Sequence, residues 1–445
     1  MKENIEFSNL KDYESTFEAD RKNEVAMHAT VANGILESCK AVEAVVANSH
    51  NFSISIEAGE MTNQKKSGRC WMFAALNVMR LEIMEKLNLK NMELSQAYPL
   101  FWDKLEKANY FLENIIETLE EPLEGRVINY LLKDPLGDGG QWDMFADLVA
   151  KYGVVPKEMM PESKVSSETN RMNRLLTVKL REFAYALRTA NSQGKSLEEL
   201  RKLKESQLST IYTMLCISLG KPPKEFTYET RDKDDKFIRI SKITPQEFYK
   251  KYVSLNLEDY VSLINAPTSD KPFGKTYTVQ YLGNVRGGKP VRYLNLPIEE
   301  LKKAAIKQMQ DGKAVWFGSD VGQNSDKDSG LMALDTYDLE GLFSTTFPLD
   351  KAQRLDYGES LMTHAMVLTG VNLDENGTPN RWRVENSWGE EPGVKGYFVM
   401  SDDWFNEYTY QVVVNKKYLS KEQREAINQE PIVLKPWDPM GSLAK

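Results

Sequence analysis

The sequence predicts an α+β fold, because helical patterns dominate its first two thirds and strand patterns its last third. Helices are predicted from Ala- and Val-rich or charged, helix-favouring segments at 24–47, 70–90, 96–120, 141–152, 196–220, 244–256 and 297–312. Strands are predicted at 276–295, 314–320, 364–374, 381–388 and 395–405, with antiparallel strands last. No internal repeat occurs.

Three features of the chain refine these elements. Gly34 is expected to interrupt the first predicted helix, and Ser67 with Gly68 precedes the second as a plausible cap. From about 165 to 265 the composition becomes charged and helix-favouring, which predicts an inserted helical subdomain.

Composition excludes several classes of protein. The 445 residues include 57 Lys and Arg against 65 Asp and Glu, a net charge of −8 that argues against bulk capture of nucleic acid. No window reaches the roughly 18 apolar residues of a membrane span. The polar, acidic N-terminus lacks the apolar segment of a signal peptide, so a cytoplasmic location and no membrane partner are expected. With only three Cys and three His, no disulfide framework or metal site is expected.

One of the three cysteines has the context of a nucleophile. Cys70 stands at the start of a long apolar helix, where free backbone N–H groups and the helix dipole favour a thiolate. Cys39 and Cys216 have apolar neighbours and are expected to be small buried hydrophobic residues. Cys70 could also be an ordinary core residue.

One histidine has a suitable partner for such a thiol. His364 begins an apolar strand, and Asn386 follows the next predicted strand, so a hairpin could bring imidazole and amide together. The amide oxygen would then accept a hydrogen bond from one ring nitrogen and leave the other facing the thiol. His28 and His50 have no such context. A structural role for His364 remains the alternative.

These residues carry a family resemblance. The segments QKKSGRCW (64–71), MTHAMVLTG (362–370) and ENSWG (385–389) resemble the papain-type cysteine peptidases, in which a Gln six residues before the nucleophile supplies an oxyanion donor. The chain departs from the secreted members: Ser67 replaces a disulfide-forming Cys, Arg69 replaces a Ser, and 294 residues separate Cys70 from His364.

The departures match one branch, the bleomycin hydrolase and bacterial aminopeptidase C family. The likeness runs along essentially the whole chain, through GDGGQWDM (137–144), RLDYGESLMTHAM (354–366), RWRVENSWG (381–389) and KPWDPMGSLAK (435–445). It implies a papain-like core with a large inserted helical and hook region, assembled as a homohexamer that acts on peptides without a cofactor.

The resemblance also implies a division of the chain. The expected parts are an N-terminal extension at 1–60, the helical half of the papain-like core at 61–164, the inserted helical and hook region at 165–295, the β half of the core at 296–430 and a C-terminal tail at 431–445, which reaches the active site.

Roles follow from the resemblance. Cys70 would attack the peptide carbonyl, His364 would carry the proton to the leaving amine, and Asn386 would hold the imidazole ring. Gln64 and the backbone N–H of Cys70 would bind the oxyanion. Trp388 would either shield the His–Asn hydrogen bond from water or serve as plain core.

Two further segments are expected to line the substrate groove. Gly139 and Gly140 correspond to glycines that let a peptide backbone approach, although a plain turn is the alternative. A frayed tail is the ordinary expectation for terminal residues, but the resemblance implies that the tail lies in its own groove. Its carboxylate, on Ala444 or Lys445, would pair with the substrate's α-ammonium group.

The sequence therefore favours a cytosolic cysteine aminopeptidase. A papain-like endopeptidase or acyl transferase remains an alternative, although the transferases usually have Asp where this chain has Asn386. A binding scaffold on the same fold, with nucleic acid as one candidate ligand, is a second alternative. The acidic balance and the complete set of four predicted catalytic residues count against it.

Overall fold

The computed structural model describes residues 3–253 and 255–444, so Lys445, one of the predicted tail residues, lies outside the described part. The α-helices of this part are α1 (Phe7–Glu18), α2 (Arg21–Asn33), α3 (Ile35–Ser38), α4 (Val42–Ala47), α5 (Cys70–Lys86), α6 (Ala97–Glu117), α7 (Arg126–Lys133), α8 (Trp142–Tyr152), α9 (Asn170–Ser192), α10 (Leu197–Leu219), α11 (Pro245–Tyr252), α12 (Ile298–Gln310), α13 (Leu339–Phe343), α14 (Lys351–Asp356), α15 (Asp402–Tyr408) and α16 (Lys421–Ile427). None of them is long and apolar enough to cross a membrane.

Most strands join one large sheet. They are β1 (Ile54–Ser55), β2 (Phe226–Arg231), β3 (Phe237–Ile243), β4 (Tyr260–Ile264), β5 (Lys275–Val279), β6 (Tyr293–Asn295), β7 (Val315–Ser319), β8 (Ser325–Asp326), β9 (Leu331–Met332), β10 (His364–Leu373), β11 (Pro379–Glu385), β12 (Tyr397–Ser401), β13 (Thr409–Asn415) and β14 (Ile432–Leu434). The sheet order is β14-β5-β6-β4-β13-β7-β10-β11-β12-β9-β8, β1 lies beside β10, and β2 pairs with β3 separately.

The predicted α+β class is confirmed, with one change in strand direction. The centre of the sheet, from β4 through β13, β7 and β10 to β12, is antiparallel as expected. Three pairs nearer the edges are parallel: β4 with β6, β5 with β14, and β9 with β12. Each of these pairs joins segments separated by long connections, which a parallel arrangement requires.

Two hydrophobic cores cover the two faces of the sheet. Side chains alternate along a strand, so Ala365 and Val367 of β10 face the first core while Met366 and Leu368 face the second. The helix α5 packs on the first face of β10 and α12 on the other. Because α5 is buried except near its C-terminal end, its first residue is held firmly against the sheet.

Several predicted element boundaries were wrong. The first predicted helix is split into α2, α3 and α4, and Gly34 adopts a φ of 87°, which breaks the helix where expected. The strand predicted at 395–405 ends at Ser401, whose side chain caps α15 by accepting a hydrogen bond from the N–H of Trp404. β13, at the centre of the sheet, was missed.

The region 165–295 contains two kinds of structure. Its first part holds α9, α10 and the separate β2–β3 hairpin. Its last part supplies β4, β5 and β6 to the central sheet, where β4 pairs directly with β13. The strands at the end of this region thus belong to the central sheet. That residues 165–295 form one inserted unit stays a prediction.

The N-terminal 60 residues join the body through a few contacts. The Lys40 ammonium lies 2.8 Å from the Asp326 carboxylate, and the N–H of Ala41 donates to the carbonyl of Thr336 at 3.0 Å. β1 pairs with the far end of β10. Along α1 and α2 no side chain is buried, so this segment leaves much of its apolar surface exposed.

Candidate active site

Cys70 is the first residue of α5 and is completely buried. The backbone N–H of Ala365, next to His364 on β10, donates to its Sγ at 3.4 Å. The predicted cap by Ser67 and Gly68 was wrong: Arg69 occupies the cap position, without a side-chain cap hydrogen bond. The thiol therefore lies where the N-terminus of the helix meets the start of β10.

Burial raises the pKa of the Cys70 thiol to about 12. The N–H groups of Ala365, Trp71 and Cys70 itself oppose this rise, as expected at a helix N-terminus, while the charge of Asp138 adds to it. The helix start thus favours the thiolate as predicted, but burial has the larger effect. At neutral pH, burial by itself therefore favours the neutral thiol over the thiolate.

His364 and Asn386 are brought together by the antiparallel pairing of β10 and β11. His364 is the first residue of β10, Asn386 directly follows β11, and Nε2 of the imidazole lies 2.9 Å from Oδ1 of the amide. The backbone N–H of Ser387 donates to the same Oδ1 at 2.8 Å, which identifies this atom as the acceptor. Nε2 therefore carries the proton in this hydrogen bond.

Trp388 packs beside the His364 ring. Its ring centroid lies 5.0 Å from that of His364, with the planes tilted by 36°, and its other neighbour is the Phe398 ring at 5.7 Å. The indole is half-buried, and the ammonium of Lys327 lies 5.6 Å from its centroid. Both roles considered for Trp388, shield and core, agree with this position.

Gln64 is oriented by a residue that the sequence did not single out. Its Nε2 donates to the carbonyl of Ser67 at 2.7 Å, and its Oε1 accepts from Oγ of Ser387, also at 2.7 Å. Its backbone N–H donates to the carbonyl of Ser387 at 2.8 Å. Ser387 thus connects Gln64 to Asn386, and its place inside the ENSWG segment was the available signal.

A buried carboxylate holds the turn that precedes Cys70. Asp138 accepts from the N–H of Gly68 at 2.9 Å, from Nζ of Lys104 at 2.6 Å and from Nδ2 of Asn173 at 2.7 Å, and also from the hydroxyl of Thr169. Burial opposes its charge, but Lys104 and these hydrogen bonds hold the pKa of Asp138 well below its usual range. Asp138 stands in the segment GDGG, where only the glycines were considered.

A second ion pair locks the other side of the same turn. The guanidinium of Arg69, which is fully buried, makes two hydrogen bonds of 2.8 Å to the carboxylate of Glu162. Its Nε donates to the hydroxyl of Ser67 at 2.8 Å. A bidentate pair of this kind fixes orientation as well as charge, so the residue that replaces a Ser in the family pattern has a structural task here.

Packing and backbone contacts fix the two glycines of the predicted groove. A Cβ at Gly140 would lie 2.4 Å from the Trp71 ring, so packing against Trp71 requires the absence of this side chain. The backbone N–H of Gly140 points the other way and donates to the carbonyl of Ala444 at 3.1 Å. The carbonyl of Gly139 accepts from the buried Nζ of Lys107 at 2.7 Å.

The C-terminal tail packs against the same glycine segment. Ala444 is fully buried and forms an antiparallel bridge with Gly140. Nε2 of Gln141 donates to the carbonyl of Ser442 at 2.8 Å, and the Ser442 hydroxyl donates to the carbonyl of Met362 at 2.7 Å. The tail thus lies between the Gly140 segment and the strand that begins at His364.

The structure therefore brings the Cys70 thiol to the residue after His364 and joins His364 to Asn386 and Trp388. Gln64 is linked to the residue after Asn386, and the Gly140–Ala444 bridge lies against Trp71, the residue after Cys70. Cys39 and Cys216 are free and half-buried, not buried as expected. Among the described residues, no group of three or more His, Cys, Asp or Glu side chains could hold a metal ion.

Comparisons with known proteins agree with this arrangement. Residues 4–441 match the model of the peptidase C1-like family. Aminopeptidase C of Listeria monocytogenes is 50% identical over 444 residues, 100% of both chains, and mouse bleomycin hydrolase is 45% identical over 95% of this chain and 94% of its own. The crystal structure of PepW from Lactobacillus rhamnosis covers 100% of both chains with a TM-score of 0.98 and 49% identity. The chain belongs to the peptidase C1-like family, and the resemblance seen in its sequence is confirmed.

Proposed function

We propose that this cysteine aminopeptidase releases N-terminal residues from peptides through a thiol acyl-enzyme, with Cys70, His364 and Asn386 as its catalytic residues. The observation that carries the proposal is the meeting of three elements: the buried Cys70 thiol at the start of α5, the His364–Asn386 hydrogen bond of 2.9 Å, and the chain's own tail on Gly140. Its full-length relatives named aminopeptidase C support the same activity.

In the proposed first step, His364 takes the proton of the Cys70 thiol as sulfur attacks the substrate carbonyl. Burial raises the thiol pKa to about 12 and so disfavours an isolated thiolate, which is why the proposed thiolate depends on an imidazolium beside it. Asn386 holds the ring through Nε2, so Nδ1 is the nitrogen that accepts the proton. The resulting thiolate–imidazolium pair needs no carboxylate.

The oxyanion that forms would be bound by the backbone N–H of Cys70 and by Nε2 of Gln64. An amide nitrogen carries two hydrogens, and only one of those on Gln64 is used by the Ser67 carbonyl. Collapse of the tetrahedral intermediate breaks the C–N bond, and the imidazolium donates its proton to the leaving amine. Water, deprotonated by His364, then hydrolyses the thioester and restores the thiol.

The tail would limit this reaction to the amino end of the substrate. The Gly140–Ala444 bridge is the kind of main-chain contact that an extended peptide makes in a groove, so the tail fills the space that residues upstream of the cleaved bond would need. The carboxylate that ends the tail would pair with the substrate's α-ammonium group. Whether that carboxylate belongs to Ala444 or to Lys445 is decided by the experiment below.

The test compares a free-amine fluorogenic amino-acid amide with its N-acetylated form. The intact chain should strongly prefer the free amine. Deleting residues 442–445 should reduce that preference by about 10- to 100-fold, since a hydrogen-bonded charge pair contributes about 1.5–3 kcal/mol. Deleting Lys445 alone is the matched control: an unchanged or higher preference assigns the role to the Ala444 carboxylate.

Three results would contradict parts of this proposal. Equal turnover of both substrates by the intact chain would indicate an endopeptidase or acyl transferase. Turnover of neither would favour a binding scaffold. A preference that survives the deletion of residues 442–445 would leave the tail without its proposed role.

We also propose that the chain self-assembles, as a homohexamer, through its N-terminal helices. Phe7 on α1 and Val31 on α2 are 86% and 83% exposed, and several further apolar side chains of this segment are exposed beside them. A surface of this kind is typical of a protein–protein interface.

The three free thiols further support the proposed cytoplasmic location, where cysteines stay reduced.

The assembly can be tested by light scattering after size exclusion. The wild-type chain should elute with six times the mass of one chain, and Phe7→Glu combined with Val31→Glu should shift the mass to smaller species. The control is Ile217→Glu, which changes an equally exposed apolar residue (81%) on α10. A monomeric wild-type chain would contradict the proposal, as would equal effects of the two variants.

A further inference from the structure

The last fourteen described residues approach the groove in three stages. β14 adds to β5 in parallel, with Leu434 opposite Val279. A turn follows, with a short 3-10 helix at Pro439–Gly441, whose Met440 is buried in the first core. Only then does the tail reach Gln141 and Gly140. The position of the tail end thus depends on what holds the turn.

Lys271 holds this turn from the body of the protein. Its side chain is 3% exposed, and its Nζ lies 3.0 Å from Oδ2 of Asp438 and 2.9 Å from Oδ2 of Asp270. Asp438 is itself largely buried, and its Oδ1 accepts from the N–H of Met440 at 2.8 Å, which caps the 3-10 helix. The carbonyl of Lys271 accepts from Nδ2 of the buried Asn295, at 2.7 Å, so the lysine is fixed to β6.

The two carboxylates keep the Lys271 ammonium charged. Burial alone would favour a neutral amine, but Asp270 and Asp438 outweigh it and raise the pKa of Lys271. On the outer side of the turn, the guanidinium of Arg126 lies 3.7 Å from the centre of the Trp437 ring. The turn is therefore held from the inside by an ion pair and from the outside by a cation–π contact.

By contrast, the tail end is held by neutral hydrogen bonds. Ser442 and Ala444 make the three already described, to Gln141, Met362 and Gly140. Loss of a neutral hydrogen bond leaves no charge behind, whereas removing one partner of a buried ion pair leaves the other charge uncompensated. The one contact between charged side chains on the described part of this tail therefore lies six residues before Ala444, at Asp438.

We propose that Lys271 is a specificity-positioning residue: through its ion pair with Asp438 it sets how far the C-terminal tail extends toward Cys70. The proposal rests on the proposed role of the tail. Lys271 contacts neither the substrate nor Cys70, and it acts only by placing the carboxylate that ends the chain. Loss of the Lys271–Asp438 pair allows the turn to shift. The carboxylate that ends the chain then moves away from the substrate's ammonium group.

The test uses Lys271→Met and Asp438→Asn in the full chain, with the same free and N-acetylated substrates. Both variants should lower the preference for the free amine at least fivefold. KM for the free-amine substrate should rise with little change in kcat, because the lost contact is made equally in the ground state and the transition state. The double variant Lys271→Met, Asp438→Leu, which leaves no unpaired buried charge, should show the same shift even if a single variant folds poorly.

The matched control is Lys302→Met. Lys302 is 4% exposed and lies 2.6 Å from Asp402, so it forms a similar buried pair, but one on α12, against α15. It should leave the preference unchanged. If deletion of residues 442–445 alters the preference while the double variant does not, the role of Lys271 is overturned and the proposed function stands. If neither alters it, both fail.

Discussion

Cys70→Ala is expected to abolish peptide hydrolysis, with kcat/KM reduced by at least about 10⁴-fold. No other side chain at the meeting point of α5 and β10 can form the thioester. Folding should be retained, because alanine fits at the start of an otherwise unchanged helix. Turnover of the free-amine amide measures the loss of activity. Mass spectrometry after iodoacetamide treatment measures the loss of alkylation at position 70.

Cys216→Ala is the matched control for this prediction. Cys216 is a free, half-buried thiol on α10. Its removal should leave both activity and Cys70 alkylation intact. Appreciable turnover by Cys70→Ala, or inactivation that follows alkylation of Cys216 or Cys39, would move the nucleophile elsewhere.

Asp138→Asn should be the most destabilising substitution around the site, lowering the free energy of unfolding by about 3–5 kcal/mol at neutral pH. It leaves the ammonium of Lys104, which is fully buried, without its carboxylate. It also weakens the hydrogen bond to the N–H of Gly68, two residues before the nucleophile. A small displacement of Cys70 should reduce kcat/KM by about 10- to 100-fold in the protein that remains folded. Urea unfolding and steady-state kinetics provide the two measurements.

The pH dependence of this effect has a definite sign. The folded-state pKa of Asp138 lies below the usual 3.8, so its charge stabilises the fold above that pH. This contribution is lost as the pH falls below 3.8 toward the folded-state pKa, and the stability difference between wild type and Asp138→Asn should shrink in that window. A difference that grew on acidification would contradict the assignment.

An exposed ion pair supplies the comparison. Glu198 pairs with Lys202 on α10, with both side chains at least 70% exposed. Glu198→Gln should change the free energy of unfolding by less than about 1 kcal/mol and leave activity unchanged. The contrast separates the effect of a buried charge from that of charge removal in general.

The sequence alone was sufficient where one short segment carries both the residue and its context. Cys70 could be singled out from three cysteines as the predicted nucleophile because the apolar residues that follow it predict the helix that it begins. His364 and Asn386 could be paired because two consecutive strands form a hairpin, whose geometry is local. The α+β class followed from the order of helical and strand patterns along the chain.

Other features depended on contacts between distant segments. Gln64 and Ser387 are 323 positions apart, and Asp138 and Lys104 are 34 apart, so no local pattern could join them. The same holds for β13, a central strand whose neighbours β4 and β7 come from earlier parts of the chain. Gly140 also has a packing constraint that no local pattern shows, because only the fold reveals that Trp71 occupies the place of a side chain.

By itself, the sequence was sufficient for the family and the fold class, since short motifs and the order of helical and strand patterns encode these. The catalytic roles of Cys70, His364, Asn386 and Gln64 stay predictions. Only the tertiary structure decided that burial has a larger effect than the helix N-terminus on the pKa of Cys70, and that Asp138 holds the turn before it. It also decided that the tail contacts Gly140 and that the Lys271–Asp438 ion pair holds the turn before the tail end. The physical reason is that burial and charge pairing depend on which segments meet in space.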